Sequence, residues 1–300
     1  MQSSILIEDE LSPLELVVVG TSIDRGNLEL YNATVSLYDQ MGNAPSDDDL
    51  NAQVEGLCRV LEHFGIEVVR PENVPGVLQT FVRDLGVVIG DVLVWCNPKK
   101  QKRRVEQEGL RNAIAEFESI KTISVPSEIG IEGGDIVLLK GRVLVGIGTD
   151  PENARTSHGA ADFLRKVFPN REVIPIEINA SDKSGDNPRK HVLHLDCAFQ
   201  PLGNGHGVFF EQGFKRRPEP ILDLIGEKNL IQVSADEMFH LWPNLFSISP
   251  ESVLSAPSFT RLNNKIRALG LNVIEVPYEE VAKLGGLFRC STLPLRRRLV

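Results

Sequence analysis

The chain has 300 residues, 42% hydrophobic and 24% charged, with a formal net charge of −9 and a pI of about 5.3. This length and composition supply a large core, and the acidic balance argues against duplex nucleic acid or an anionic membrane surface as main partner. Four widely separated cysteines, Cys58, Cys96, Cys197 and Cys290, form no C-x-x-C pair, which argues against a disulfide scaffold and against a structural zinc site. The start, Met-Gln-Ser-Ser-Ile-Leu-Ile-Glu-Asp-Glu, lacks the basic residues and apolar stretch of a secretory signal, and no apolar run approaches the roughly 18 residues of a membrane span. The expectation is a cytoplasmic protein, with residues 1–13 as a flexible tail and 14–300 as one domain.

In chain order, Leu14–Gly20 is β-branched and ends on glycine, a buried strand. Residues 21–49 are polar and read as a long loop able to cover a site, with Asp47, Asp48 and Asp49 suited to the N-terminus of the next helix. Leu50–Phe64 carries Val54, Leu57, Val60, Leu61 and Phe64 at helical spacing before Gly65, and Ile66–Val69 is a strand. Phe81–Cys96 reads as two strands joined at Gly90-Asp91. A basic turn at Lys99–Arg104, a helix over Arg104–Glu118 and a strand over Thr122–Val125 follow. Ile131–Gly148 repeats the hairpin about Lys140-Gly141, with a helix to Phe168 and a strand over Glu172–Ile178. His191–Phe210 is a third hairpin, turning at Gly203-Asn204-Gly205; an irregular stretch with a short helix leads to a strand over Leu230–Val233. After helical turns at Ala235–Leu241, Leu245–Leu254 is a fourth hairpin about Ser249-Pro250. A helix over Phe259–Leu269, a strand over Asn272–Val276, a helix over Tyr278–Leu284 and a final strand carrying Cys290 complete the chain. The unit strand, strand, helix, strand thus recurs about five times, counting the two terminal strands as halves of one unit, at a period of roughly 40 to 60 residues. Such radial repetition predicts an α/β fold with helices outside a ring of short strands.

Candidate chemistry gathers in four stretches. Gly285 and Gly286 let the backbone bend sharply before Cys290, and Pro294 after it keeps the thiol out of a helix interior, at a strand end. The same cysteine also reads as a small buried hydrophobe. In Phe81-Val82-Arg83-Asp84 an acid within an apolar strand is costly to bury unless paired; the alternative is a solvated Arg83/Asp84 surface pair. Glu132 and Asp135 flank a glycine pair at a strand start, or a turn with solvated acids. In His194-Leu195-Asp196 strand alternation puts His194 and Asp196 on one face, for catalysis or as a structural pair. Taken together, a cysteine nucleophile needs an acid or base and a stabilised thiolate, and His194 can move the protons. Asp84, Glu132 and Asp196 suit a planar cation with forked donors. The constellation predicts a thiol attacking a guanidinium carbon.

On these residues the chain resembles the guanidino-group-modifying enzymes, among them arginine deiminase, dimethylarginine dimethylaminohydrolase and the amidinotransferases. The resemblance spans roughly residues 14–298 and rests on Phe-Val-Arg-Asp at 81–84, Glu-Gly-Gly-Asp at 132–135, Ala-Arg-Thr at 154–156, His-Leu-Asp at 194–196 and Gly-Gly-x-x-x-Cys at 285–290. It implies a fivefold pseudo-symmetric α/β propeller, the pentein fold, built from ββαβ units. It further implies Cys290 as nucleophile, His194 as general acid and base, and Glu132 as the acid that holds the guanidinium and orients the histidine. Asp84 and Asp196 would grip the guanidinium nitrogens, with Asp135 among the substrate-binding acids. Arg155 would bind the substrate's carboxylate or carbonyl end, and Arg103 would match a second carboxylate-binding arginine, with Arg104 as the competing choice. Arg83 stands where dimethylargininase-like members often carry glutamate, and Thr149–Asn153 lengthens the loop before Arg155.

The expected activity is hydrolysis of arginine or an N-substituted arginine through a covalent Cys290 intermediate, releasing citrulline and ammonia or an amine, with no metal and no cofactor. An amidinotransferase and a non-catalytic binding member of the same fold are the alternatives. The expected partner is a small cationic guanidino compound; a homodimer stays open.

Overall fold

Short β-branched runs bounded by tight turns set the architecture. The structure, a computed structural model, describes residues 5–26, 32–115, 117, 120–150, 152–183 and 186–299. Among these run β1 (Leu14–Val19), α1 (Ala33–Gln40), α2 (Asp47–His63), β2 (Glu67–Val69), β3 (Gly86–Ile89), β4 (Val92–Trp95), α3 (Gln101–Ala115), β5 (Lys121–Ser124), β6 (Ile136–Leu139), β7 (Arg142–Gly148), α4 (Gly159–Val167) and β8 (Glu172–Ile178). They continue with β9 (Phe199–Leu202), β10 (His206–Phe209), α5 (Glu219–Ile225), β11 (Leu230–Gln232), α6 (Ala235–Phe239), β12 (Phe246–Ser249), β13 (Ser252–Ser255), α7 (Thr260–Ala268), β14 (Asn272–Glu275), α8 (Glu279–Ala282) and β15 (Thr292–Arg297).

The strands form five similar three-stranded mixed sheets: β15-β1-β2, β3-β4-β5, β6-β7-β8, β9-β10-β11 and β12-β13-β14. In each, the middle strand pairs antiparallel with one neighbour and parallel with the other. The parallel partner arrives only after α2, α3, α4, α5 or α7, because a parallel pairing needs a crossover. The first sheet joins both ends of the chain, with Val17 opposite Pro294 and Val19 opposite Thr292. At the two-residue turn between β6 and β7, Lys140 and Gly141 have φ of 50° and 77°, the left-handed pair that a type I′ hairpin requires.

Both faces of β3 and β6 are covered, so these strands are apolar on both sides. Ile136 and Leu138 of β6 pack into one buried cluster, and Val137 and Leu139 into another. Helix α2 buries Leu50, Val54, Leu57, Cys58 and Leu61 on one stripe, and Ser46 caps it by accepting the Asp49 N–H at 3.1 Å. None of the described helices is long and apolar enough to cross a membrane.

Several elements differ from the sequence expectation. Residues 5–13, expected in a flexible tail, are packed: Ile5 and Ile7 are buried, and Leu6 N–H donates to the Leu295 carbonyl at 2.8 Å. They cover the otherwise open edge of β15; residues 1–4 lie outside the described residues. The stretch 21–49 contains α1, whose N-cap Asn32 accepts the Val35 N–H at 2.9 Å; residues 27–31 lie outside the described residues. Helix α3 starts at Gln101, so Arg103 sits in its first turn; its expected end at Glu118 lies outside the described residues. Three-residue to four-residue 3-10 turns at Val82–Leu85, Gly133–Asp135 and Leu195–Cys197 stand where strand starts were expected. Those turns build the site.

Candidate active site

Asp84, Asp135, Asp196, Asn244 and Cys290 occupy corresponding places, each just before the first strand of a sheet, and all five are buried. Their side chains bind one turn to the next. Asp84 Oδ1 accepts the Gly134 N–H at 3.1 Å, and Asp135 Oδ1 accepts the Leu195 N–H at 2.8 Å. The series breaks at the fourth sheet, since Pro243 has no N–H to give. There Asp196 Oδ2 instead takes the Nη1–H of Arg289 at 2.9 Å. Asn244 Oδ1 accepts the N–H groups of Leu287 and Cys290 at 3.2 and 3.1 Å, which fixes the turn that presents the thiol.

His194 precedes the Asp196 turn. Its Nε2–H donates to Glu132 Oε2 at 2.8 Å, and its Nδ1 lies 3.7 Å from Asp84 Oδ1. Arg155 Nη1–H donates to Glu132 Oε2 at 3.0 Å, and Arg103 Nη1–H to Asp84 Oδ2 at 2.6 Å. The Cys290 Sγ lies 3.9 Å from Asp196 Oδ2, and the Cys197 Sγ 3.5 Å from Asp196 Oδ1. The Arg83 N–H donates to the Cys290 carbonyl at 3.1 Å, so the cysteine turn is tied directly to the Asp84 turn. Arg289 spans Asp196 and Glu10, the latter at 2.8 Å, with all three buried.

Electrostatics assign the proton states. Burial works against a charge on His194, but Asp84, Asp135 and Glu132 outweigh it and raise its pKa well above the ordinary value. Burial likewise opposes ionisation of Glu132, yet Arg155, His194 and Arg103 hold it well below the usual carboxylate range. The pair is therefore imidazolium and carboxylate at neutral pH. Burial pushes Asp135 up to about 7, against the pull of His194. The Cys197 thiol is pushed well up by its hydrogen bond with Cys290, by burial and by Asp196.

A pH effect on stability follows. A group whose folded pKa is raised contributes stability present in full below its unfolded value, about 6.5 for histidine, and lost as pH rises through the folded value. Denaturant unfolding from about pH 6 to about pH 9 should show the wild type losing stability faster than His194→Asn. Parallel curves would mean that the imidazole is not held charged.

Glycine spacing makes room for this cluster. A Cβ on Gly134 would lie 2.8 Å from His194 Cγ and Nδ1 and 2.9 Å from Asp84 Oδ1. Gly134→Ala should therefore displace the imidazole, costing about 1–3 kcal/mol by overpacking. Turnover should fall about 100-fold through misplacement. Unfolding and kcat measured on the same preparation check both. Asp84, Glu132 and His194 also present ligand atoms within 4.8 Å of one another, so these are the residues that could hold a metal ion. An ion there would compete with His194, Arg103 and Arg155 for the same oxygens.

A profile of the eukaryotic N,N dimethylarginine dimethylhydrolase family matches residues 46–297. The chain belongs to this family. It is thereby one of the guanidino-group-modifying enzyme superfamily. Among curated relatives, the uncharacterized protein YkgA of Bacillus subtilis is 29% identical over 243 residues, covering 77% of this chain and 78% of YkgA. The N(G),N(G)-dimethylarginine dimethylaminohydrolase of Pseudomonas aeruginosa is 26% identical over 218 residues, covering 71% and 75%. Among solved structures, the inosamine-phosphate amidinotransferase StrB1 of Streptomyces griseus superposes with a TM-score of 0.78 at 16% identity, over 99% of this chain and 98% of that one; this likeness is one of fold.

Within this family frame, the residues expected from the motifs fall close together, with corrections of detail. Cys290 lies in a turn before β15 and not on the strand. His194 and Asp196 do not share a strand face; one is extended and the other sits in a 3-10 turn. The Arg83/Asp84 surface pair does not form: both are buried, Asp84 pairs with Arg103, and Arg83 Nε–H donates to the Arg289 carbonyl at 3.3 Å. Arg103 joins the cluster, whereas Arg104 donates to the Pro98 carbonyl at 3.2 Å. Motif reading missed Arg289, Glu10 and Asn244. Asn244 had a signal, since Asn-Leu-Phe before β12 parallels Asp-Leu-Gly before β3. Arg289 and Glu10 had none, because they meet across 279 positions of sequence.

Proposed function

We propose that the protein is a cysteine-dependent hydrolase acting on the guanidinium carbon of arginine or an N-substituted arginine. The carrying observation is the buried cluster in which the Cys290 thiol lies beside Asp196, and His194, charged, lies between Glu132 and Asp84. The substrate guanidinium binds among Asp84, Glu132 and Asp196, with Arg155 toward the other end of the substrate. Its positive charge favours the Cys290 thiolate, the thiol proton passing to solvent as the substrate binds. The thiolate attacks the guanidinium carbon, forming a C–S bond. Breaking the C–N bond releases ammonia or an amine, which takes a proton from the His194 imidazolium. Neutral His194 then accepts a proton from water as the water's oxygen attacks the same carbon; the C–S bond breaks and a ureido product leaves. The fold reading extends to closure of the five sheets, over residues 14–300, into one fivefold propeller, a reading supported by the pairing of β1 with β15.

The test is incubation of the purified chain with a panel of guanidino compounds, with products identified by mass. A ureido product together with ammonia or amine, in the absence of any acceptor, supports the hydrolase. Turnover only when an amine is added means amidino transfer. No turnover and no adduct on Cys290 means a binding member of the fold.

A further inference from the structure

Arg83, Arg103, Arg155, Arg289 and Arg297 are buried among the described residues. Arg103 pairs with Asp84 and Glu106, Arg155 with Glu132 and Asp182, and Arg289 with Glu10 and Asp196. Arg83 and Arg297, only 3% and 2% exposed, have no carboxylate in an ion pair. The two gather with Arg289 around the segment that carries Glu10. Arg83 Nε–H donates to the Arg289 carbonyl at 3.3 Å, and Arg289 Nη2–H donates to Glu10 at 2.8 Å. Arg297 Nη1–H donates to the Ser12 carbonyl at 2.6 Å, and its Nη2–H to the Ser247 carbonyl at 2.7 Å. Three donor nitrogens of this group, Arg83 Nη2, Arg289 Nε and Arg297 Nε, are buried and have no acceptor. Burial and then Arg289 push Arg83 down to about 9, with Arg297 adding to the push and Glu10 and Asp196 pulling against it. Burial pushes Arg297 down to about 10 against the pull of Glu10 and Asp9, and Arg289 adds to the push.

We infer that Arg83, Arg289 and Arg297 form a buried binding site for a small monovalent anion of chloride size. A buried cation is costly unless it is paired and hydrogen-bonded. The two buried carboxylates in reach, Glu10 and Asp196, are already held by Arg289. Asp9 is half-buried and accepts the N–H groups of Leu11 and Ser12 at 2.7 and 2.6 Å. Water could accept from the three free donors, but it would leave the positive charge unanswered; an anion answers both. Chloride fits better than phosphate, whose second charge and several oxygens exceed the donors on offer. The guanidinium group suits such a place because it is weakly hydrated and stays charged. Arg83 also holds the turn that presents the thiol, through the Arg289 carbonyl and, by its backbone N–H, the Cys290 carbonyl at 3.1 Å. An anion that neutralises Arg83 therefore steadies that turn, and it takes no part in the proposed reaction.

The test is urea unfolding of the full chain in sodium chloride and in sodium gluconate at equal ionic strength, gluconate being too large and too polar for a buried site. At about 100 mM, chloride should raise the folding equilibrium constant of the wild type about tenfold or more over gluconate, and the gain should follow the curve of a single site as chloride is titrated. Arg83→Met removes an unpaired charge and a free donor but keeps the backbone N–H on the Cys290 carbonyl. It should fold in both salts, with the chloride gain reduced to within about twofold. Crystals of the wild type grown in bromide supply a second measurement that needs no variant: an anomalous peak should lie within hydrogen-bonding distance of Arg83 Nη2. Equal wild-type stability in the two salts, a chloride gain that Arg83→Met retains, or bromide crystals with no peak among these arginines overturns the inference.

Discussion

Cys290→Ser is expected to lower turnover of a guanidino substrate by at least about a thousandfold, with little change in unfolding. The reaction needs a sulfur that can be a thiolate near neutrality, and a serine hydroxyl in the same place has no comparable acidity. The fold should tolerate the change. The turn holding residue 290 is fixed through backbone groups, by Asn244 on its N–H and by Arg83 on its carbonyl, and neither contact uses the sulfur. Rates from ureido product formation, with denaturant unfolding of the same sample, separate the two effects. Acid quenching of the wild type during turnover, followed by intact mass, should show an adduct that maps to Cys290. A serine variant with wild-type rate would sink the mechanism.

Arg289→Met should be the most destabilising single change near the site, by about 3–5 kcal/mol, because it leaves two buried carboxylates without their cation. Arg289 is fully buried, and its two Nη groups hold Asp196 at 2.9 Å and Glu10 at 2.8 Å, with the Ile136 carbonyl taking a third bond at 2.7 Å. Burial opposes ionisation of Glu10, but Arg289 and Arg83 hold it down at about 2, so the carboxylate stays charged over the working range. Arg289→Lys should recover only part of the loss, since an ammonium cannot serve acids on both sides with a planar fork. Denaturant midpoints of the three chains give the comparison; equal midpoints for wild type and Arg289→Met would show the network to be energetically idle. The same residue also bears on chemistry, because Asp196 Oδ2 is shared by Arg289 and the Cys290 thiol.

Much of the architecture was open to reading along the chain, for a physical reason. Hairpins announce themselves through local turn chemistry: Lys140-Gly141 adopts the left-handed pair that two-residue turns demand, and the apolar runs on either side fix where β6 and β7 lie. The repeat follows from counting such units. Helix α2 was legible from its stripe and its acidic first turn. Locally determined features of this kind depend on residues within a few positions of one another.

The site was legible as a set of residues and not as a geometry. Asp84, Glu132, His194, Asp196 and Cys290 stand in short stretches whose composition is unusual for a core, so each could be singled out. Their backbone could not, because a strand and a 3-10 turn of the same few residues differ only in where the N–H groups find acceptors, and those acceptors lie in the next sheet. Residues 5–13 show the same limit: an acidic, weakly periodic segment reads as a tail until the edge of β15 takes it up and Arg289 draws in Glu10. By itself the sequence determined the repeat, the turn positions and the chemical inventory of the site, all of which rest on local propensity and side-chain type. Tertiary structure alone decided which acid meets which cation, because charge pairing among buried groups is settled by the packing of whole sheets and not by neighbours in the chain.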